Sequence, residues 1–176
     1  MTAHFLLDQQ LGQKNIVAKG PNTANFKVGE SGFISDSYRS GHNIYYYSGA
    51  LVEVMIAMAT ASLSSPAGKG VLLDNHATAV GNVGAFSTSS TLSDGIVDPN
   101  LSGNLSSGDT FLLFRKGPMN IIASGAISAG AGFKPDNSGK FQAATTEAQP
   151  TRRGRLMVAA TTDGDIRRAL CDFTIP

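Results

Sequence analysis

Short apolar runs separated by breaker-rich segments recur along most of the chain, most regularly from Asp109 onward. There the sequence reads Asp109-Thr-Phe-Leu-Leu-Phe-Arg, Lys116-Gly-Pro118 and Met119-Asn-Ile-Ile-Ala-Ser-Gly-Ala-Ile-Ser-Ala-Gly130. Phe133-Lys, the turn Pro135-Asp-Asn-Ser-Gly139, Lys140-Phe-Gln-Ala-Ala144, Gly154-Arg-Leu-Met-Val-Ala-Ala160 and the turn Thr162-Asp-Gly-Asp165 follow. Apolar segments of this length, punctuated by Gly, Pro, Asn and Asp at roughly ten-residue spacing, predict a small antiparallel barrel or sandwich. The last strand is the clearest. Ala169, Cys171, Phe173 and Ile175 share one face and Arg168, Asp172 and Thr174 the other, with Leu170 the exception. A strand with one buried face has this alternation.

The earlier part of the chain is less regular. Residues 1–25 carry Phe5-Leu-Leu, Ile16-Val-Ala and the breaker-rich Gly20-Pro-Asn-Thr-Ala-Asn25, which predicts an extended arm. Its consecutive apolar residues Phe5, Leu6 and Leu7 either dock on a partner or pack on their own domain. Gly32-Phe-Ile and Asn43-Ile-Tyr-Tyr-Tyr-Ser-Gly49 read as short strands around a polar turn. Residues 49–63 are the one helix candidate. Leu51, Met55 and Met58 recur at helical spacing, and Ala and Met favour helix. Val52, Val54 and Ile56 form a competing period-2 series. Residues 71–108 read as loop-rich β structure, and Asp98 to Gly108 is either a linker or an ordered loop. The expected organisation is an arm over 1–25, a loop-rich β region over 26–108 with a short helix near 49–63, and a β-barrel domain over 109–176. The fold class is mainly β: an antiparallel barrel or sandwich with one short helix and an extended N-terminal arm.

Composition narrows the function. Charged residues are 15% of the chain against the usual ~25%, while apolar residues are 41% and Gly, Ser and Thr are abundant. Low charge with β patterning suits a protein that covers its surface with copies of itself or with a partner, and equally a monomeric β domain with uncharged loops. A net charge of +1 supplies no general pull toward nucleic acid or anionic membrane. No run approaches the ~18 apolar residues of a membrane span, and residues 1–8 have no signal-peptide pattern, so a reducing cytoplasm is the expected site of synthesis. Cys171, the single cysteine, reads as a buried apolar thiol.

Candidate chemistry is sparse. His4, His42 and His76 have no metal-ligand spacing, and no Gly-x-Ser-x-Gly elbow occurs. Gly68-Lys69-Gly70 lacks the rest of a phosphate loop, and Gly81-Asn-Val-Gly84 lacks a dinucleotide fingerprint. Asp136-Asn-Ser-Gly139 and Asp163-Gly-Asp165 offer oxygen ligands but read as Asx-Gly turns. No catalytic, metal or cofactor site is therefore expected. Tyr45, Tyr46 and Tyr47 read as sheet-edge packing, with a stacking platform for a carbohydrate or small ligand as the alternative. Arg152-Arg-Gly-Arg155 is the sharpest charged feature. It would either clamp a partner's carboxylates or lie solvated beside a hairpin.

The segment from Gly125-Ala-Ile-Ser-Ala-Gly130 through Phe133-Lys-Pro-Asp-Asn-Ser-Gly-Lys-Phe141 to Asp163-Gly-Asp-Ile-Arg-Arg-Ala-Leu170 resembles the small β-barrel of head decoration (cement) proteins of tailed bacteriophages and related phage-head proteins. The resemblance covers roughly the last 65 residues. It implies a virion structural protein, made in the host bacterial cytoplasm, that binds the outside of an icosahedral shell and stabilises it. The implied partners are the major capsid protein and copies of itself in a homotrimer, with no nucleic acid, membrane or cofactor. Phe5, Leu6, Leu7, Arg152, Arg153 and Arg155 are then the candidate capsid contacts. A short head fibre, another virion component and a ligand-binding β domain are the alternatives.

Overall fold

The computed structural model describes residues 28–29, 31–35, 51–74, 81–144 and 153–173. The strands, in order, are β1 (Ser31–Ser35), β2 (Leu51–Ala59), β3 (Gly70–Leu73), β4 (Asn82–Phe86), β5 (Gly95–Val97), β6 (Thr110–Ser124), β7 (Gly132–Pro135), β8 (Phe141–Ala143), β9 (Gly154–Leu156) and β10 (Asp163–Asp172). The chain is mainly β, as its pattern predicts, and the described residues contain no helix. The expected N-terminal arm lies outside the described residues.

The helix expected near 49–63 is the strand β2. Its period-2 series decides the matter: Val52, Val54 and Ile56 enter one apolar cluster, while Met55, Ala57 and Ala59 enter another. A strand buried on both faces reads as a nearly continuous apolar run, and helical spacings then occur within it by chance.

The strands join in the order β1-β2-β4-β3-β5-β6-β10-β9-β7-β8, with extra pairings β2–β6 and β6–β8. Those extra pairings close two circuits that share β6. The first runs β2-β4-β3-β5-β6 and back to β2; the second runs β6-β10-β9-β7-β8 and back to β6. An odd number of strands cannot close with every neighbour antiparallel. Each circuit accordingly contains one parallel contact, β2 with β4 and β6 with β8, so the sheet is mixed rather than purely antiparallel. Closure pairs strand edges that would otherwise be exposed.

Each circuit surrounds apolar side chains. Val71, Val83, Val97, Phe111 and Leu113 belong to the first cluster, to which the packed loop before β6 adds Leu101 and Leu105. Met119, Ile121, Phe133, Phe141, Leu156, Ala169 and Cys171 belong to the second, which also takes the opposite faces of β2 and β6. There Phe133 meets Phe141 edge-on at a centroid distance of 5.2 Å, a favoured aromatic geometry.

β6 serves both circuits because it changes course midway. Lys116 pairs with Glu53 and Phe114 with Val54, which leaves Arg115 as an extra residue in the ladder. This bulge, with Gly117 at φ 116, switches the faces of the strand. Leu112 and Phe114 face the second cluster before it; Met119, Ile121 and Ala123 do so after it. Residues before the bulge are buried on both faces, and those after it alternate between buried and half-buried. The second half of β6 thereby presents one side to solvent.

Candidate interaction surface

Beyond the bulge, β6 pairs with β10, which in turn pairs with β9. Alternation turns Ala169 and Cys171 into the core and Ile166, Arg168, Leu170 and Asp172 outward. Cross-strand register sets Ile166 opposite Ile122, and Leu170 between Pro118 on β6 and Arg155 on β9. Met157 follows β9 and donates its backbone N–H to the Arg168 carbonyl at 2.9 Å, which brings it beside the same row.

Three of the exposed large apolar side chains of the described residues lie on this face, Met157 at 50%, Ile166 at 57% and Leu170 at 57% exposure; Val158, at 53%, follows beyond β9. Single exposed apolar residues are ordinary, but a group gathered on neighbouring strands marks a contact surface. Charged groups border it. Lys116 reaches Asp172 at 2.8 Å, and the hydrogen bond to that carboxylate raises the lysine's pKa. At the other end Lys140 reaches Asp163 at 2.8 Å and Arg167 reaches Asp165 at 3.1 Å.

The two acidic turns are occupied by their own backbone. Asp165 Oδ2 accepts from the N–H groups of Thr161 at 2.8 Å and Thr162 at 3.2 Å. These bonds, Thr161's first, hold its carboxyl at about 2. Asp136 Oδ1 accepts from the Ser138 N–H at 2.7 Å, an Asx turn. Among the described residues, no group of three or more His, Cys, Asp and Glu could hold a metal ion. Burial pushes the Cys171 thiol far above its ordinary range, which removes it as a nucleophile at neutral pH. The chemistry available on this face is that of a binding surface: an apolar strip with a charged border.

The sequence-predicted contacts separate. Arg155 is exposed at the border of the face and donates Nη1 to the Gly130 carbonyl at 3.1 Å. Arg153 is 3% exposed, in contrast to a solvent-presented clamp. Burial lowers its pKa, against the opposing influence of Asp94 and Asp172. Alternation alone would set the two arginines on one side, but Arg153 precedes β9, where its N–H donates to the Phe133 carbonyl at 3.1 Å and its carbonyl accepts from the Asp172 N–H at 2.9 Å. Phe5, Leu6, Leu7 and Arg152 lie outside the described residues, as do Tyr45, Tyr46, Tyr47 and the three histidines. Met157, Ile166 and Leu170 are the surface residues that sequence reasoning missed. The available signal was Leu170, the apolar residue on the polar side of the last strand.

No protein-family model matches the chain, and no curated protein matches it. Among solved structures, it is similar to the crystal structure of the head fiber gp8.5 N base in bacteriophage phi29. The likeness covers 70% of this chain and 96% of that chain, at 13% identity and a TM-score of 0.51. At that identity the two share a fold.

Proposed function

We propose that the protein is a structural component of a bacteriophage virion that attaches to the head. The observation that carries this reading is the fold shared with a phage head-fibre base over 96% of that chain's length. The turn and small-residue pattern from Gly125 to Leu170, which resembles phage decoration barrels, supports it independently. So does the apolar sheet face, which suits a protein held against a partner. The role is binding rather than catalysis.

The finer reading is decoration: the protein sits on the outer surface of the icosahedral shell, contacts the major capsid protein and stabilises the shell, as a homotrimer at symmetry positions. The base of a head fibre is a second reading, favoured by the fold likeness itself. Co-sedimentation with expanded, decoration-free shells tests both, with the solution mass measured alongside. Binding that saturates at a fixed ratio across the capsid lattice supports decoration. Binding at a small subset of positions supports a fibre base, and a folded protein that ignores shells overturns the virion reading.

A further inference from the structure

An aspartate directly precedes a glycine twice in the chain, at Asp94-Gly95 and at Asp163-Gly164. In such a pair the glycine's amide nitrogen can attack the aspartate's side-chain carbonyl carbon, because no β-carbon shields it and the backbone turns freely there. The fold treats the two pairs differently. Gly95 lies in β5 and pairs with Val71, and a β-carbon on it would lie 2.6 Å from Leu113 Cγ. Asp94 donates its N–H to the Val71 carbonyl at 2.9 Å, and its Oδ2 accepts from the Leu73 N–H at 2.8 Å. Ring closure at this pair would require β3 and β5 to part.

Asp163 and Gly164 are instead the two middle residues of the turn Thr162–Asp165, whose Asp165 N–H reaches the Thr162 carbonyl at a long 3.3 Å. Gly164 is exposed at φ 86, with nothing within 4 Å of an added β-carbon. The Asp163 side chain is 63% exposed. Asp163 pairs with Ser124 and Ile166 with Ile122, so three steps along β10 answer two along β6 and Gly164 falls in a bulge. The Asp163 carboxylate accepts from Lys140 Nζ on both oxygens, at 2.8 and 3.0 Å.

From this contrast we propose that Asp163-Gly164 is a self-modification site, which converts to an isoaspartyl linkage in the folded protein while Asp94-Gly95 does not, with Lys140 as its restraint. The Gly164 nitrogen bonds to Asp163 Cγ and gives up its proton, and the carboxyl, protonated beforehand, releases one oxygen as water. The resulting succinimide takes up a water at either carbonyl. One opening restores aspartate, and the other leaves the backbone running through the former side-chain carbonyl. Water is the one reactant needed. Lys140 slows ring closure because both of its hydrogen bonds must break before the carboxyl takes up a proton. An exposed ion pair is weak, so the restraint is partial. The product lengthens the backbone by one carbon inside the bulge, before the ladder resumes at Ile166, and the rest of β10 keeps its register. Nothing in this chemistry depends on the virion reading.

The test incubates full-length wild type, Lys140→Gln and Gly164→Ala in mildly acidic buffer, both native and in denaturant. Peptide mass spectrometry reads isoaspartate at each pair, and circular dichroism establishes that each variant is folded. In denaturant the two pairs of the wild type should react at similar rates. In the native protein Asp163 should react about tenfold or more faster than Asp94, whose reaction waits on opening of the sheet. Lys140→Gln should raise the native rate at Asp163 severalfold, and Gly164→Ala should lower it. A native wild type with no isoaspartate at Asp163, or with equal amounts at both pairs, overturns the inference. An unchanged rate in Lys140→Gln overturns the restraint assigned to that lysine. Loss of hydrogen-exchange protection at Ala169 in the converted protein overturns the bulge as the place where the added atom is absorbed.

Discussion

Gly70 donates its backbone N–H to the carbonyl oxygen of Gly139 at 2.7 Å, and neither residue has room for a β-carbon. One lies at the start of β3 in the first circuit and the other in the turn between β7 and β8 of the second. A β-carbon on Gly139 would lie 2.8 Å from the Gly70 oxygen, and one on Gly70 would lie 2.5 Å from Ser93 Oγ. Asn137, in the same turn, accepts from the Ser89 hydroxyl at 2.7 Å. The circuits are thus joined by backbone at their rim as well as through β6.

Gly139→Ala combines a left-handed φ of 79° with that close approach, and about 2–4 kcal/mol of lost stability is expected. Gly130→Ala is the control, with φ 78° and nothing within 4 Å of the added carbon. It should cost about 1–2 kcal/mol from backbone conformation alone. Urea unfolding measures both, and equal losses would show that the approach of the two turns carries no energy.

Leu112 and Leu113 are neighbours on β6 that fill different clusters. Replacing either with Ala should cost about 2–5 kcal/mol. Because both circuits need β6, hydrogen exchange should lose protection at Val71 and at Ala169 in each variant. Loss confined to one circuit would mean that the circuits unfold independently.

Asp165 has a folded pKa of about 2, below its ordinary 3.8. A depressed carboxylate contributes stability above its unfolded pKa and loses that contribution as pH falls through the folded value. Asp165→Asn should therefore be less stable than wild type at neutral pH, with the difference closing between pH 3.8 and about 2. Thermal melts across that range test this, and a difference independent of pH would exclude the carboxylate charge as its source.

Cys171 is buried and its pKa is raised, chiefly by desolvation. The native protein should resist a thiol-specific reagent at pH 8 and react at once in denaturant. Rapid labelling of the folded chain would place the thiol at the surface and contradict the core packing on β10.

The sequence by itself determined the β character of the chain, the turns and the inward face of its last strand. Ala169, Cys171 and Phe173 are buried as their alternation requires, since period-2 patterning is a local property of a strand with one wet face. The Asx-turn chemistry of Asp136 and Asp165 was legible for the same reason: its donors lie within a few residues. Tertiary structure decided everything that depends on what covers a face. The stretch 49–63 carried helical and strand periods together, and only burial between two clusters made it β2. Sequence counted Arg152, Arg153 and Arg155 as one basic group, whereas the fold buried Arg153 and left Arg155 on the surface. Leu170 departed from the pattern in sequence, and only its position between Pro118 and Arg155, with Ile166 farther along the same row, made that departure part of a surface. Periodicity records which residues share a side; which sides meet is settled by pairings between residues far apart in the chain.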